Sequence, residues 1–162
     1  MRSRVIFIGF ALVALALVVL VVRKERVLSH GTPVLLELAP VDPRSLMQGD
    51  YMVLDYAVSR EVRKTEVSQE GLLVLRLDEN GVGHFVRRHT PDTPLAPGEL
   101  LLGYKQREGR VRLGAESFFF QEGHADRYAG AKYGELRVAE DGSSVLVGLR
   151  NAERQPLGRD VP

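Results

Sequence analysis

The sequence predicts a mainly β protein: an antiparallel β-sandwich or small barrel with one short packed helix, behind an N-terminal transmembrane helix. Two observations predict this class. From residue 34 onward, short stretches of strand-forming residues recur about every ten residues, separated by Gly, Asn, Asp and Pro residues that favour turns. Ahead of them lies an uninterrupted apolar run, residues 5–22.

The apolar run is long enough to cross a bilayer as a helix. Its 18 uncharged residues span about 27 Å as a helix, close to the thickness of the hydrocarbon core. A cleaved signal peptide usually has a shorter apolar core and a small-residue cleavage site, whereas charged residues follow this run at 23–26. We therefore expect residues 1–26 to form an uncleaved signal anchor. Basic residues flank both ends of the run, so charge alone leaves its orientation open.

Charge and composition limit the classes of partner and cofactor. Residues 27–162 contain 17 basic and 20 acidic side chains, a net charge of −3, so the basic excess of the chain lies at the membrane flanks. A mildly acidic domain gives no electrostatic basis for binding nucleic acid. Cysteine is absent, which excludes disulfides and thiolate metal sites. The four histidines do not have metal-ligand spacing, and we predict neither a metal site nor a cofactor.

The β-rich domain is predicted over residues 34–150, between a tether at residues 27–33 and a loose tail at residues 151–162. Residues 60–70 are polar, and within them residues 63–67 are compatible with either an extension of the preceding strand or a short helix. The other predicted elements, in order, are strands at 34–39 and 51–58, a hairpin of 72–77 and 82–88 turning at Asn80-Gly81, a loop at 90–98, strands at 99–106 and 110–113, a buried aromatic segment at 117–120, a helix at 122–132, and a hairpin of 133–139 and 144–149.

Residues 48–56 combine turn-forming residues with the strand-forming residues that follow them, and we predict that a turn leads into a strand there. Gly49 permits a tight turn, and the Asp50 carboxylate can accept hydrogen bonds from nearby backbone N–H groups. Side chains alternate across a strand, so one face of the predicted strand is expected to point into the core. The residues on that face are Met52, Leu54, Tyr56 and Val58.

The run Gly49-Asp50-Tyr51-x-x-Leu54-x-Tyr56 contains the complete motif that names the GDYXXLXY domain family, and the sequence resembles that family. Residues 40–44, and residues 118–123 followed by Tyr128 and Ala131, are similar to other parts of the family pattern. The resemblance implies a bacterial module anchored in the cytoplasmic (inner) membrane, often associated with multi-span membrane proteins, with no established reaction. It also favours a cytoplasmic N terminus and an extracytoplasmic domain.

No catalytic constellation is found in the sequence, so a non-catalytic interaction module is the predicted function. Its predicted partners are the lipid bilayer and a multi-span membrane protein. The candidate signature and interaction residues are Gly49, Asp50, Tyr51, Leu54, Tyr56, Glu122 and Gly123.

The alternative is an envelope hydrolase or ligand-binding enzyme that uses an acidic rim of Asp50, Asp55 and Glu122. Acid–base chemistry on glycans needs two carboxyl groups about 5–9 Å apart. Two of these carboxylates, Asp50 and Glu122, also have a purely structural explanation. Asp50 can hold the turn, and Glu122 lies near the start of the predicted helix, where the helix dipole favours a negative charge.

Overall fold

The structure is a computed structural model that describes residues 2–39, 47–48, 51–63, 68–114 and 116–158. Strands make up 40% of it, and their sheet curls into a half-barrel behind a long N-terminal apolar helix. This architecture confirms the mainly β class. Gly49 and Asp50 lie outside the described residues, as do residues 40–46 and 64–67.

The described residues form two α-helices, ten strands and one 3₁₀ helix. Helix α1 (Arg2–His30) comes first, and helix α2 (Ala57–Val62) follows the third strand. The 3₁₀ helix Ala125–Tyr128 follows the eighth strand. The strands are β1 (Thr32–Glu37), β2 (Met47–Gln48), β3 (Tyr51–Val53), β4 (Glu70–Leu77), β5 (Gly83–Arg88), β6 (Glu99–Arg107), β7 (Arg110–Arg112), β8 (Ser117–Phe119), β9 (Tyr133–Val138) and β10 (Ser144–Arg150).

The strands pair antiparallel in three groups, in the orders β1-β9-β10, β2-β3-β8 and β5-β4-β6-β7. Backbone hydrogen bonds connect the first group to the last at two places. The Leu35 N–H donates to the Gly81 carbonyl at 2.9 Å, where Leu35 also bridges to Val82. The Gly103 N–H donates to the Gly142 carbonyl, in the turn after β9, at 2.8 Å.

Both predicted hairpins are confirmed. β4 pairs with β5, and Gly81 takes a φ of 76° at the predicted Asn-Gly turn, a conformation that costs glycine little. β9 pairs with β10 around a turn at Gly142. The strand pair β6 and β7 also lies where it was predicted. In each case the residues that determine the turn are adjacent in sequence.

The predicted core face of the signature stretch is confirmed. Its side chains are at most 5% exposed and belong to the central apolar cluster of the domain. Fully buried leucines from β1, β4, β6 and β9 also belong to that cluster. The signature residues in the core are Met52, Leu54, Tyr56 and Val58, and the leucines are Leu36, Leu73, Leu75, Leu102 and Leu136.

The strand predicted over residues 51–58 is wrong beyond Val53. The chain leaves the strand there and enters α2, whose Val58, Ser59 and Val62 are buried. Valine favours strands only weakly and according to its surroundings, so packing of the helix on the core overrides that preference. The choice between a strand extension and a short helix concerns residues 63–67, of which 64–67 lie outside the described residues, so it stays a prediction.

Two predictions for residues 117–132 are wrong. The expected helix is only the 3₁₀ turn Ala125–Tyr128, preceded by Gly123 with a φ of 78°. The aromatic segment is not uniformly buried either, since Phe119 is 74% exposed. Phe118 and Phe120 instead pack on Tyr128, with ring centroids 5.1 and 5.3 Å from its ring, and a single helical turn is sufficient for this contact.

The segments at the two ends of the predicted domain contact the sheet. Helix α1 continues through the first part of the predicted tether, and β1 begins after the single residue Gly31. In the predicted tail, the Leu157 N–H donates to the Leu149 carbonyl at 2.9 Å, and the half-buried Leu157 side chain packs against the core.

Candidate functional site

The signature residues Leu54 and Tyr56 lie in the core. The Leu54 N–H donates to the Glu116 carbonyl at 2.8 Å, which attaches the end of β3 to the segment before β8. The Tyr56 side chain is 1% exposed, and its backbone bridges to Leu38 after β1. The Leu54 bond therefore joins β3 to the segment before β8 within one group, and Tyr56 attaches that group to the segment after β1.

Tyr56 packs against the backbone of Gly134 in the central strand β9. A Cβ atom at position 134 would lie only 3.0 Å from Cε1 and 3.2 Å from the hydroxyl oxygen of Tyr56. Burial, together with the negative charge of Glu116, raises the pKa of the Tyr56 phenol, so it stays protonated at physiological pH. Tyr56 thus forms part of the core and has no access to a substrate in bulk solvent.

Tyr51 lies at the surface beside the exposed Phe119. The two residues are register partners in β3 and β8, and their ring centroids are 5.7 Å apart. Tyr51 is partly buried, whereas Phe119 is 74% exposed. We call this the Tyr51–Phe119 pair. An exposed aromatic pair on a short sheet is a feature typical of protein contact surfaces.

Asp55 lies at the mouth of a cleft lined by arginines. Its carboxylate accepts a hydrogen bond from Arg60 at 3.0 Å and lies 4.0 Å from a guanidinium nitrogen of Arg63. Arg110 and Arg112 of β7 line the same cavity of about 490 Å³. We call the cavity with these four guanidinium groups the arginine cleft.

The structure does not bring the proposed acidic rim together in this cleft. Asp55 lines the arginine cleft and is paired with arginines, whereas Glu122 is not among the residues that line it. Glu122 is exposed in the turn after β8, next to Gly123 with its φ of 78°. Asp50 lies outside the described residues, so a rim that includes it stays a prediction.

Helix α1 joins the sheet directly, and we call this contact the helix–sheet junction. Val27, in the last turn of the helix, is 6% exposed, and Gly31 donates its N–H to the Val27 carbonyl at 2.9 Å. A Cβ atom on Gly31 would clash with that carbonyl oxygen and would lie 3.0 Å from the Val138 nitrogen. The Arg137 guanidinium donates to the Gly31 carbonyl at 3.3 Å.

Charged groups at the end of the apolar helix contact the β9–β10 hairpin. The Lys24 ammonium donates to the Ser144 carbonyl at 3.3 Å. Asp141 accepts hydrogen bonds from the Ser143 hydroxyl at 2.6 Å and the Ser143 N–H at 2.9 Å. These bonds lower the pKa of the Asp141 carboxyl, with a smaller contribution from the charge of Arg23 on α1. The junction therefore includes contacts between charged and polar groups as well as the buried Val27.

The arginine cleft was missed by sequence reasoning. The sequence predicts residues 110–113 only as a short strand after a turn, and it places Arg60 and Arg63 in a polar stretch. Alternating basic and apolar residues are typical of any half-exposed strand, so the local pattern carries no sign of a cleft. The cleft exists because α2 packs beside β7, which is a tertiary contact.

These features define a class of protein: a β-rich half-barrel domain mounted on an N-terminal apolar helix compatible with a membrane anchor. The helix segment Ile6–His30 is long and apolar enough to cross a bilayer. The chain belongs to the GDYXXLXY protein family, whose family model matches residues 13–149. No curated protein and no solved structure matches the chain.

Proposed function

We propose that this protein is a single-pass envelope protein whose domain is a non-catalytic interaction module for a multi-span membrane protein. The helix–sheet junction is the observation that carries the proposal. The apolar run ends at Val22, and eight further helical residues, about 12 Å in length, lead to the sheet. A domain attached this closely works at the height of the lipid headgroups, where the loops of a multi-span protein lie.

The Tyr51–Phe119 pair is the surface that we propose contacts the partner. Phe119 is the most exposed large apolar side chain that the structure describes, including those of the apolar helix. Its strand β8 is at the edge of its three-stranded group, so a partner strand has access to backbone groups as well as to the ring. Both signature segments contribute to this surface, since Tyr51 lies in the first and Phe119 in the second.

Photo-crosslinking in intact membranes tests the proposal. A benzoyl-phenylalanine at position 119 should crosslink to one multi-span membrane protein, identified by mass spectrometry. The matched control carries the same probe at Val86, which is also exposed (39%) but lies on β5 in a different group of strands. Identical products from the two positions, or products at 119 that contain only abundant bystander proteins, would contradict the proposal.

We further propose that the N terminus is cytoplasmic and that the domain lies outside the bacterial inner membrane. The absence of cysteine makes this orientation simple to test, because each introduced thiol is the only one in the chain. A membrane-impermeant maleimide should label Glu153→Cys in intact spheroplasts and Ser3→Cys only after permeabilisation. The reverse labelling pattern would place the domain in the cytoplasm and refute this orientation.

A further inference from the structure

We propose that the arginine cleft is a binding site for a phosphate group. Helix α2 and the residue after it supply Arg60 and Arg63, and β7 supplies Arg110 and Arg112. Among the described residues that line the cavity, the carboxylates belong to Asp55 and Glu116, so four cations face two anions, a net charge of +2. The cavity volume of about 490 Å³ lies within the usual range of small-molecule sites.

The two β7 arginines are the cations available to a ligand. Asp55 is engaged by the arginines of α2. In the part of the chain that the structure describes, neither Arg110 nor Arg112 has a carboxylate within ion-pair distance of 4.0 Å. Both side chains are exposed to solvent at the cavity wall.

The strand geometry positions these two guanidinium groups together. Val111 between them is 6% exposed and belongs to the core, so Arg110 and Arg112 point to the same, outer face. Their Cα atoms are separated by two residues of strand, about 7 Å. Guanidinium groups donate in a planar fork that matches phosphate oxygens, so two arginines at this spacing can bind one phosphate from two sides.

Like charges in one cleft repel each other and weaken the unliganded fold, which argues against a purely structural role. An anion in the cleft removes that repulsion and replaces the missing carboxylates. The basic character is local, because residues 27–162 as a whole have a net charge of −3. Phosphate fits the cleft better than a carboxylate does, since its oxygens can accept from more than one guanidinium at once.

A second cavity borders the cleft on the side of the apolar helix. Arg112 and Glu116 also line this second cavity of about 580 Å³, and Lys24 of α1 lines that same cavity together with Lys105 and Arg107. Lys24 lies two residues after the apolar run, at the expected height of the headgroups. The phosphate therefore belongs either to a phospholipid headgroup or to a soluble phosphate ester, and both have the chemistry that the cleft recognises.

Binding is tested with the full-length protein in an uncharged maltoside detergent, which contains no phosphate. Calorimetry measures binding of glycerol 3-phosphate, with chloride at equal ionic strength as the reference anion. Native mass spectrometry measures retention of dihexanoyl phosphatidylglycerol. We expect one or both probes to bind, and Arg110→Gln/Arg112→Gln to weaken that binding at least about tenfold, the loss expected from removing charge-assisted hydrogen bonds. Tighter binding of the lipid would identify a headgroup as the source, and tighter binding of glycerol 3-phosphate would identify a soluble ester.

The matched control is Arg88→Gln/Arg127→Gln, which removes the same charge from exposed positions that do not line the cleft. It should bind both probes like the wild type. The proposal is overturned if neither probe binds at millimolar concentration, or if both double variants lose equal affinity. Thermal unfolding without ligand provides a second readout. Arg110→Gln/Arg112→Gln should leave Tm unchanged or higher, whereas a clearly lower Tm would assign the two arginines a structural role and refute the site.

Discussion

At the residue scale, the contact between Tyr56 and Gly134 explains what the second half of the signature does. The phenol ring lies against the backbone of the central strand β9, and only the lack of a side chain at position 134 allows this approach. Interiors are packed densely enough that an added methyl group must displace something. Tyr56 is a core residue and so is Leu54, whereas Tyr51 in the same motif is partly exposed beside Phe119.

We predict that Gly134→Ala destabilises the domain by about 1–3 kcal/mol, the usual cost of overpacking a core. The added Cβ would lie 3.0 Å from the Tyr56 ring, so the ring or the strand must shift. Thermal or urea unfolding in detergent measures the loss. Gly148→Ala in the neighbouring strand β10 is the matched control, because a Cβ atom there has no neighbour within 4 Å. Equal stability of the two variants would show that the Tyr56–Gly134 contact is not tight.

At the element scale, the sequence predicts correctly those parts of the fold that depend on residues adjacent in the chain. The β4–β5 hairpin follows from Asn80-Gly81, and the β9–β10 hairpin from the turn that contains Gly142. Helix α2 was not predictable, because its valines favour strands and only their burial against β1, β5 and β7 selects a helix. The arginine cleft depends on that same helix packing, so a sequence pattern could not reveal it.

Turn carboxylates stabilise these hairpins, and their protonation should weaken them. Asp141 accepts two hydrogen bonds from Ser143, which lower the pKa of its carboxyl below the ordinary value of 3.8. Asp78 in the β4–β5 turn accepts from the N–H groups of Asn80 and Val82, which likewise lower its pKa. A lowered folded-state pKa contributes stability that is complete above the unfolded value and is lost as the pH falls through the folded value.

We predict that Asp141→Ala lowers the free energy of unfolding at pH 7 by on the order of 1 kcal/mol, the net worth of the lost turn hydrogen bonds. The difference from wild type should shrink as the pH falls below about 4, because the Asp141 carboxyl is protonated first in the unfolded state and then, below its lowered pKa, in the folded state. Urea unfolding at several pH values measures this. Glu140→Ala, which changes the neighbouring exposed residue of the same turn, should have little effect at any pH. A loss for Asp141→Ala that stays constant down to pH 2 would refute the role of its charge.

At the scale of the whole molecule, the helix–sheet junction connects the apolar anchor to both proposed sites. Val27, Gly31 and Arg137 attach the end of α1 to β9, and Lys24 contacts the first residue of β10. Lys24 lines a cavity that shares Arg112 and Glu116 with the arginine cleft, and residues 53–55 of the signature stretch line the cleft itself. If α1 spans a bilayer, as we propose, this attachment sets both the height of the Tyr51–Phe119 pair and the distance of the cleft from the bilayer.

A flexible insertion at the helix–sheet junction tests whether close attachment of the domain to α1 is needed for contact with the partner, without affecting the folding of the domain. We predict that Gly-Ser-Gly-Ser placed between His30 and Gly31 leaves the domain folded, because most of its core leucines and valines lie on elements that follow Gly31. The insertion lets the domain shift by about 11 Å relative to the anchor, so crosslinking from position 119 to the multi-span partner should fall severalfold.

The same insertion between Asp92 and Thr93, in an exposed loop, should leave both Tm and crosslinking unchanged. If the junction insertion instead keeps full crosslinking with a normal Tm, the domain finds its partner through surface affinity alone. The close mounting of the sheet on the helix would then have no role in recognition.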